Sequence, residues 1–191
     1  MNLPSKTFTS PLRALALAVA ACAASAAGAA TSVTLSLVPS QTITPPGAAV
    51  DVLVHMDLAQ PESGSPLTVF GAQVALRFDA TRLELVGASP VTVDADGDGA
   101  SDGPFALLSS ETGLDSVTFG VFDPTFGGIA DSGAVATIRL KVRDTLAAEC
   151  SIESLLYFDT VDVHQTEIAI AGGGTITPKM VNLPALNLDD V

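Results

Sequence analysis

The stretch FGAQVALRFDATRLEL, residues 70–85, alternates at its start between apolar positions and small or polar ones. Successive side chains of a strand point to opposite faces, so a period of two predicts a strand with one buried and one solvated face. The residues predicted to face inward are Phe70, Ala72, Val74, Leu76 and Phe78. The residues predicted to face outward are Gly71, Gln73, Ala75 and Arg77. A turn at 79–81 then leads into a second short strand.

Similar short patterns recur along the chain, and no segment has a convincing helical period. Clusters of Pro, Gly, Asp and Ser separate them, as at 45–47 and 172–174. Strands are predicted at 32–38, 50–57, 69–78, 83–88, 105–109, 116–122, 134–142, 152–163 and 167–176. Many short strands at this spacing predict an all-β sandwich or jelly roll. A single helical turn is expected at 145–149.

The strand predicted at 134–142 carries a stripe of positive charge. Arg139, Lys141 and Arg143 alternate with apolar residues and therefore share one outward side. One interpretation is a solvated edge strand that charge protects from pairing with other chains. The other is a patch that binds an acidic partner.

The N-terminal 30 residues have the composition of an export signal. Lys6 and Arg13 precede the apolar run 14–21, small residues follow, and no acidic residue occurs before Asp51. This order predicts a signal peptide over 1–30 and a secreted protein, extracellular or at the cell surface. The apolar run is shorter than the roughly 20 residues of a transmembrane helix, so no membrane span is expected.

Two alternatives remain for this N-terminal segment. The tetrapeptide Val19-Ala20-Ala21-Cys22 resembles the lipobox of bacterial lipoproteins, in which Cys22 would carry a lipid anchor. The segment can also be interpreted as an Ala-rich amphipathic helix. Cleavage after Ala29 or Ala30 by an ordinary signal peptidase is the favoured interpretation.

The chain is strongly acidic, with a formal net charge of −13. Without Lys6 and Arg13, six basic residues face 21 acidic ones, which gives −15. This balance argues against nucleic acids and anionic membranes as partners, and it is compatible with cations, neutral polysaccharides or a basic protein surface. Cys150 would be the only cysteine after cleavage, and a lone thiol in an exported protein favours a buried apolar role.

An acidic stretch, DADGDGASD at 94–102, is the strongest chemical signal. Calcium takes six to eight oxygen ligands, and the predicted ligands are Asp94, Asp96, Asp98 and Asp102. The first three occupy positions 1, 3 and 5 of a loop, and Asp102 falls at position 9. Position 12 is Phe105 instead of a bidentate Glu, so the loop is not an EF-hand. The alternative is a solvated acidic insertion between two strands.

Motifs for catalysis are absent from the sequence. It contains no G-x-S-x-G, H-E-x-x-H, C-x-x-C or Gly-rich phosphate loop, and no catalytic residue is predicted. It has no Trp and one Tyr, Tyr157, whereas carbohydrate-binding sites usually stack sugars on such rings. Phe122 and Phe126 are the nearest substitutes, and burial in the core or in a turn explains them equally well.

Several segments together resemble the cohesin family. They are FGAQVALRFDATRLELVGASP, GAVATIRLKVRD at 133–144 and the strand-and-loop SVTFGVFDPTFGGIADSG before it. The opening LSLVPSQTITPPGAAVDVLVHM is similar to the first two strands of the family. The resemblance implies a cohesin-like domain over 31–177, with a C-terminal tail or linker over 178–191. It implies a single nine-stranded β-sandwich of jelly-roll topology, related to certain carbohydrate-binding modules.

The resemblance also implies a function. Cohesins are non-catalytic modules that bind dockerin modules of other proteins in extracellular assemblies, some of them linked to polysaccharide degradation. The partner contacts one sheet face, which includes the strand that corresponds to 70–78. The predicted partner-binding residues are therefore Gly71, Gln73, Ala75 and Arg77, and the predicted partner is a protein, either dockerin-bearing or of another extracellular type. A carbohydrate-binding module and a structural surface protein are the alternatives.

Overall fold

The computed structural model describes residues 32–61, 65–98, 100–160 and 166–181. Almost all regular structure in them is β-strand. The strands are β1 Ser32–Pro39, β2 Ile43–Thr44, β3 Ala49–Ala59, β4 Val69–Phe78, β5 Leu83–Leu85, β6 Val91–Thr92, β7 Ala106–Thr112, β8 Ser116–Phe122, β9 Gly133–Val142, β10 Cys150–Ser151, β11 Leu156–Phe158, β12 Glu167–Ile170, β13 Thr175–Ile176 and β14 Lys179–Val181.

The strands form two main sheets. The first has the order β14-β1-β3-β9-β5, with β6 also paired to β9. The second has the order β13-β12-β4-β8-β7, with β11 also paired to β4. Strands β2 and β10 form a separate two-stranded ladder. Strands β3 and β4 follow one another in the chain but lie in different sheets, and β8 and β9 do the same. The chain thus crosses between two layers, as a jelly roll requires.

The core lies between the two sheets and follows from the alternating sequence. In β3 the buried residues are Val50, Val52, Val54 and Met56, and in β8 they are Val117, Phe119 and Val121. In β4 the predicted inward residues Ala72, Val74, Leu76 and Phe78 are buried, whereas Phe70 is only partly buried. Each fully buried large apolar side chain stabilises the fold by roughly 1.5 to 3 kcal/mol.

The prediction of an all-β sandwich with jelly-roll topology is confirmed. All nine predicted strands correspond to strands of the structure, but the described residues contain fourteen, because several short strands have too few residues for a recognisable pattern. The segment predicted as one strand at 152–163 begins with a 3₁₀ turn, Ile152–Ser154, before β11. The helical turn expected at 145–149 is instead an irregular turn.

The first sheet extends to Val181. Strand β14 pairs in parallel with β1, Met180 opposite Leu35. This strand lies inside the segment that the sequence predicts as a tail from 178, and residues 182–191 lie outside the described residues. The predicted signal peptide, with Cys22, lies outside them as well. Cys150 is buried, as expected.

Candidate partner-binding face and acidic loop

The predicted partner-binding residues lie on β4, which is an interior strand of the second sheet. Gln73 is exposed and sits opposite Gly120 of β8 on one side and Glu167 of β12 on the other. Arg77 is partly exposed, and both Gly71 and Ala75 are covered by their surroundings. The outer side of β4 therefore offers two of the four predicted side chains to a partner, Gln73 and Arg77.

Arg77 is held by two carboxylates on the same face. Its Nε donates to Asp159 Oδ2 at 2.8 Å, and its Nη1 donates to Asp115 Oδ2 at 3.2 Å. The hydrogen bond to Asp159 and the charges of both carboxylates raise the pKa of Arg77. The Asp159 side chain is only 5% exposed, so this ion pair fixes the position of the guanidinium. Arg77 thus contributes little free positive charge to the surface.

A shallow groove of about 360 Å³ runs along this outer face. Gly71, Gln73 and Gly120 contribute to its floor, and the two glycines leave it open because they lack side chains. Its lining further includes Leu108, Phe122, Glu167 and Thr175. One wall, from β7 and β8, is mainly apolar and also contains Ser109, and the other, from β12 and β13, contains Glu167 and Thr175 beside Ala169. Such an open apolar groove with a few polar groups suits contact with another molecule.

A tight turn after β8 extends the apolar wall. The buried Asp123 accepts hydrogen bonds from Thr125 N at 2.8 Å, Thr125 Oγ1 at 2.7 Å and Gly128 N at 2.7 Å. The bond from Thr125 Oγ1 is the main cause of a lowered pKa of Asp123, and the two backbone donors add to it. This turn presents Phe126, whose ring centroid lies 6.2 Å from that of Phe122.

The acidic loop connects β6 to β7 on the other side of the molecule. Carboxylate oxygens of Asp94, Asp96 and Asp102 all lie within 4.8 Å of one another. Asp98, the fourth predicted ligand, is outside this group, and its carboxylate accepts a hydrogen bond from Ala100 N at 2.7 Å. The structure thus brings together three of the four predicted calcium ligands, which is a charge arrangement suited to a hard cation.

This loop lies against the outer face of the first sheet. Asp94 and Gly97 line a depression of about 220 Å³ together with Thr137 and Arg139 of β9. The acidic loop and the groove on β4 are consequently on opposite layers of the sandwich. A cation bound by the loop would not contact a partner seated in the groove.

Comparison with solved structures reveals the same architecture elsewhere. The type II cohesin A11 of Bacteroides cellulosolvens superposes with a TM-score of 0.55 at 14% identity, covering 79% of this chain and 96% of that chain. A type II cohesin domain from the cellulosome of Acetivibrio cellulolyticus gives 0.53 at 14% identity, covering 83% and 96%. A chain of the type I cohesin–dockerin complex from Clostridium thermocellum gives 0.52 at 13% identity, covering 78% and 94%.

The fold is cohesin-like. Neither a protein-family model nor a curated protein matches the sequence. At these identities the likeness establishes the fold alone. The cohesin resemblance read from the sequence motifs is confirmed at that level.

The cationic stripe of the cohesin-like domain is neutralised by its own carboxylates. Arg139 Nε and Nη2 donate to the two oxygens of Asp51 at 2.7 and 2.8 Å, an arrangement that raises the pKa of Arg139. Lys141 Nζ donates to Asp144 Oδ2 at 2.7 Å, and Arg143 lies 3.1 Å from Glu84. Moreover, β9 lies between β3 and β5, so the interpretation as an edge strand is wrong. These pairs leave little positive charge for an acidic partner.

The sequence predictions missed the apolar wall of the groove. They do not include Leu108, and they give Phe122 and Phe126 either as substitutes for a sugar-stacking platform or as residues buried in the core or in a turn. A usable signal was present in FDPTFGG, where an aromatic residue stands between turn-forming residues. Among the described residues, no helix is long and apolar enough to cross a membrane.

Proposed function

We propose that the chain is a non-catalytic cohesin-like module that binds a protein partner through the outer face of its second sheet. The observation that carries this proposal is the groove over Gly71, Gln73 and Gly120, with exposed apolar side chains along one wall. Leu108 and Phe126 expose most of their side chains on this face, although large apolar residues are mostly buried in a folded chain. The cohesin-like fold supports the same conclusion.

A dockerin-bearing protein is the partner class that this proposal favours. One solved structure with the same fold is a cohesin–dockerin complex, and carrying that interaction over to this chain is part of the proposal. The proposed location outside the cell rests on the predicted signal peptide. Mass spectrometry of the mature N-terminus tests it, and a lipid mass on Cys22 would indicate the anchored form instead.

The proposal is tested by capturing partners from the extracellular fraction of the source organism with the purified, immobilised protein. The face variant is Gln73→Arg, which fills the groove while it can pair with Glu167 directly across the ladder. The matched control is Val38→Arg on β1 of the first sheet, where Val38 is 48% exposed. Circular dichroism verifies that both variants are folded.

The expected result is a specific protein, identified by mass spectrometry, that wild type and Val38→Arg retain and Gln73→Arg loses. Because the longer arginine side chain occupies the groove, Gln73→Arg should weaken binding by about tenfold or more, as the loss of a hot-spot contact does. Equal capture by all three would contradict the proposed face. Binding to cellulose or soluble glycans in place of any protein would favour the carbohydrate-binding alternative.

A further inference from the structure

Leu108 is placed in the groove wall by a β-bulge. In the ladder between β7 and β8, Leu107 is opposite Val121 and Ser109 is opposite Gly120, so Leu108 is the extra residue. A bulge bends the strand and re-aims side chains at the site of the irregularity. Leu108 is 70% exposed and lines the groove beside Ser109. An ordinary ladder would not present both residues on the same side.

Phe126 is placed by a second backbone irregularity. Its φ is +55°, and a bulky residue rarely adopts this left-handed conformation. The three hydrogen bonds that Asp123 accepts, together with the bond from Phe126 N to Asp123 O at 3.2 Å, hold the turn in this form. The ring is nevertheless 77% exposed. A strained conformation that directs an aromatic ring into solvent indicates a binding role.

These two irregularities converge on one feature, an apolar ridge formed by Leu108, Phe122 and Phe126. Leu108 and Phe122 line the same groove, and Phe126 contacts Phe122. The two rings are tilted by 39°, so they do not form the flat platform on which a sugar stacks. A tilted cleft with an adjacent leucine fits an aliphatic or aromatic side chain of a protein.

The charge around the groove indicates which charged groups of the partner should lie beside that side chain. Glu167 lies on the opposite wall, and no basic residue is part of the described groove lining. The nearby Arg77 already pairs with Asp159 and Asp115. The whole chain has 21 acidic and 8 basic residues, so its field attracts cationic segments.

We propose that the apolar ridge anchors an apolar side chain of a protein partner, and that Glu167 pairs with a Lys or Arg close to it. This inference rests on the proposed function and specifies the chemistry of the partner. The partner segment combines an apolar anchor with a basic flank. An acidic segment or a glycan in the groove would contradict this proposal.

The probe for this inference is a random dodecapeptide library displayed on phage and selected on the purified full-length protein. Phe126→Asn removes the ring, and asparagine tolerates the left-handed conformation, so the turn keeps its fold. Glu167→Gln removes only the charge. The matched control is Leu114→Asn at the tip of the β7–β8 hairpin, where the side chain is 94% exposed and outside the groove lining.

Selected peptides should contain an apolar residue within a few positions of Lys or Arg. Phe126→Asn is expected to weaken their binding by about tenfold, as for loss of a hot-spot ring. Glu167→Gln should weaken it several-fold at low salt and less at high salt, because screening reduces the ion pair. Leu114→Asn should leave binding unchanged.

A consensus without basic residues, a failure to enrich any peptide, or unchanged binding by Phe126→Asn would overturn the inference. Retention of the native partner by each immobilised variant distinguishes failure of this inference from failure of the proposed function. If Gln73→Arg loses that partner while Phe126→Asn and Glu167→Gln retain it, the face is correct and the ridge is not the anchor. If all variants retain it, the proposed function fails as well.

Discussion

The two glycines in the groove floor predict opposite responses to the same substitution. A Cβ added to Gly71 would lie 2.6 Å from the carbonyl oxygen of Val121, a backbone atom of the neighbouring strand that cannot move aside. A Cβ added to Gly120 would meet Ser109 Oγ at 3.4 Å, which is ordinary van der Waals contact. Gly71→Ala therefore forces β4 and β8 apart, and Gly120→Ala does not.

The magnitude follows from the cost of overpacking. Inserting one methyl group into a closely packed site costs typically about 1 to 3 kcal/mol. Replacing glycine within a strand by alanine also stabilises the protein by about 0.5 to 1 kcal/mol, because it lowers the conformational entropy of the unfolded chain. The free energy of unfolding should fall by about 1 to 2 kcal/mol for Gly71→Ala and stay level or rise slightly for Gly120→Ala. The two variants thus differ by about 1 to 3 kcal/mol. At about 2 to 4 °C per kcal/mol, they should differ in Tm by roughly 2 to 12 °C.

Differential scanning calorimetry of wild type and both variants, at one protein concentration and pH, measures this difference. The Gly120→Ala variant is the matched control, because it makes the same chemical change on the same sheet face. Equal Tm values for the two variants would refute the packing of β4 against β8 described above. A lower Tm for Gly120→Ala than for Gly71→Ala would refute it more strongly.

Three further predictions address other parts of the molecule. Calorimetric titration with calcium should reveal binding in the range of about 0.1 to 1 mM, and a joint Asp96→Asn and Asp102→Asn variant should abolish it; a flat titration of wild type would contradict the predicted site. Because the pKa of Asp123 is lowered in the fold, its contribution to stability is complete above the ordinary aspartate pKa of about 3.9. That contribution is lost as the pH falls below this value, since the unfolded carboxyl takes up a proton first. Between pH 5 and pH 2, the urea midpoint of Asp123→Asn should decline less steeply than that of wild type. Parallel declines would contradict a stabilising contribution from the Asp123 carboxylate. Arg77→Met removes the cation that faces the buried Asp159 carboxylate and should lower the urea midpoint at pH 7, whereas an unchanged midpoint would show that the pair adds no stability.

The sequence was sufficient for the parts of the fold that depend on local periodicity. The period of two in β3 and β8 reports directly which side chains face the core. In β9 the alternation fails at residues 135–138, which are all buried, and the ladder between β3 and β9 shifts register between Val54 and His55. Strand β14 was missed because its three residues carry no pattern and its pairing is with the distant β1. Its formation depends on tertiary contacts that no local segment reveals.

The candidate sites were predictable only in part, for similar physical reasons. The spacing predicts that Asp98 joins the acidic cluster, but the Asp98 carboxylate instead accepts a hydrogen bond from Ala100 N. Asp102 does join the cluster, and its carboxylate accepts a hydrogen bond from Ala95 N. The exposure of Leu108 depends on a bulge, which is a property of two paired strands. The φ of Phe126 depends on hydrogen bonds that the buried Asp123 accepts.

Chemical-shift mapping by NMR of the ¹⁵N-labelled protein, titrated with its captured partner, tests most directly whether the second sheet is the binding face. The perturbed amides should cluster around Gln73, Leu108 and Gly120 on β4, β7 and β8. Shifts confined to β1, β3 and β9 of the first sheet would contradict it.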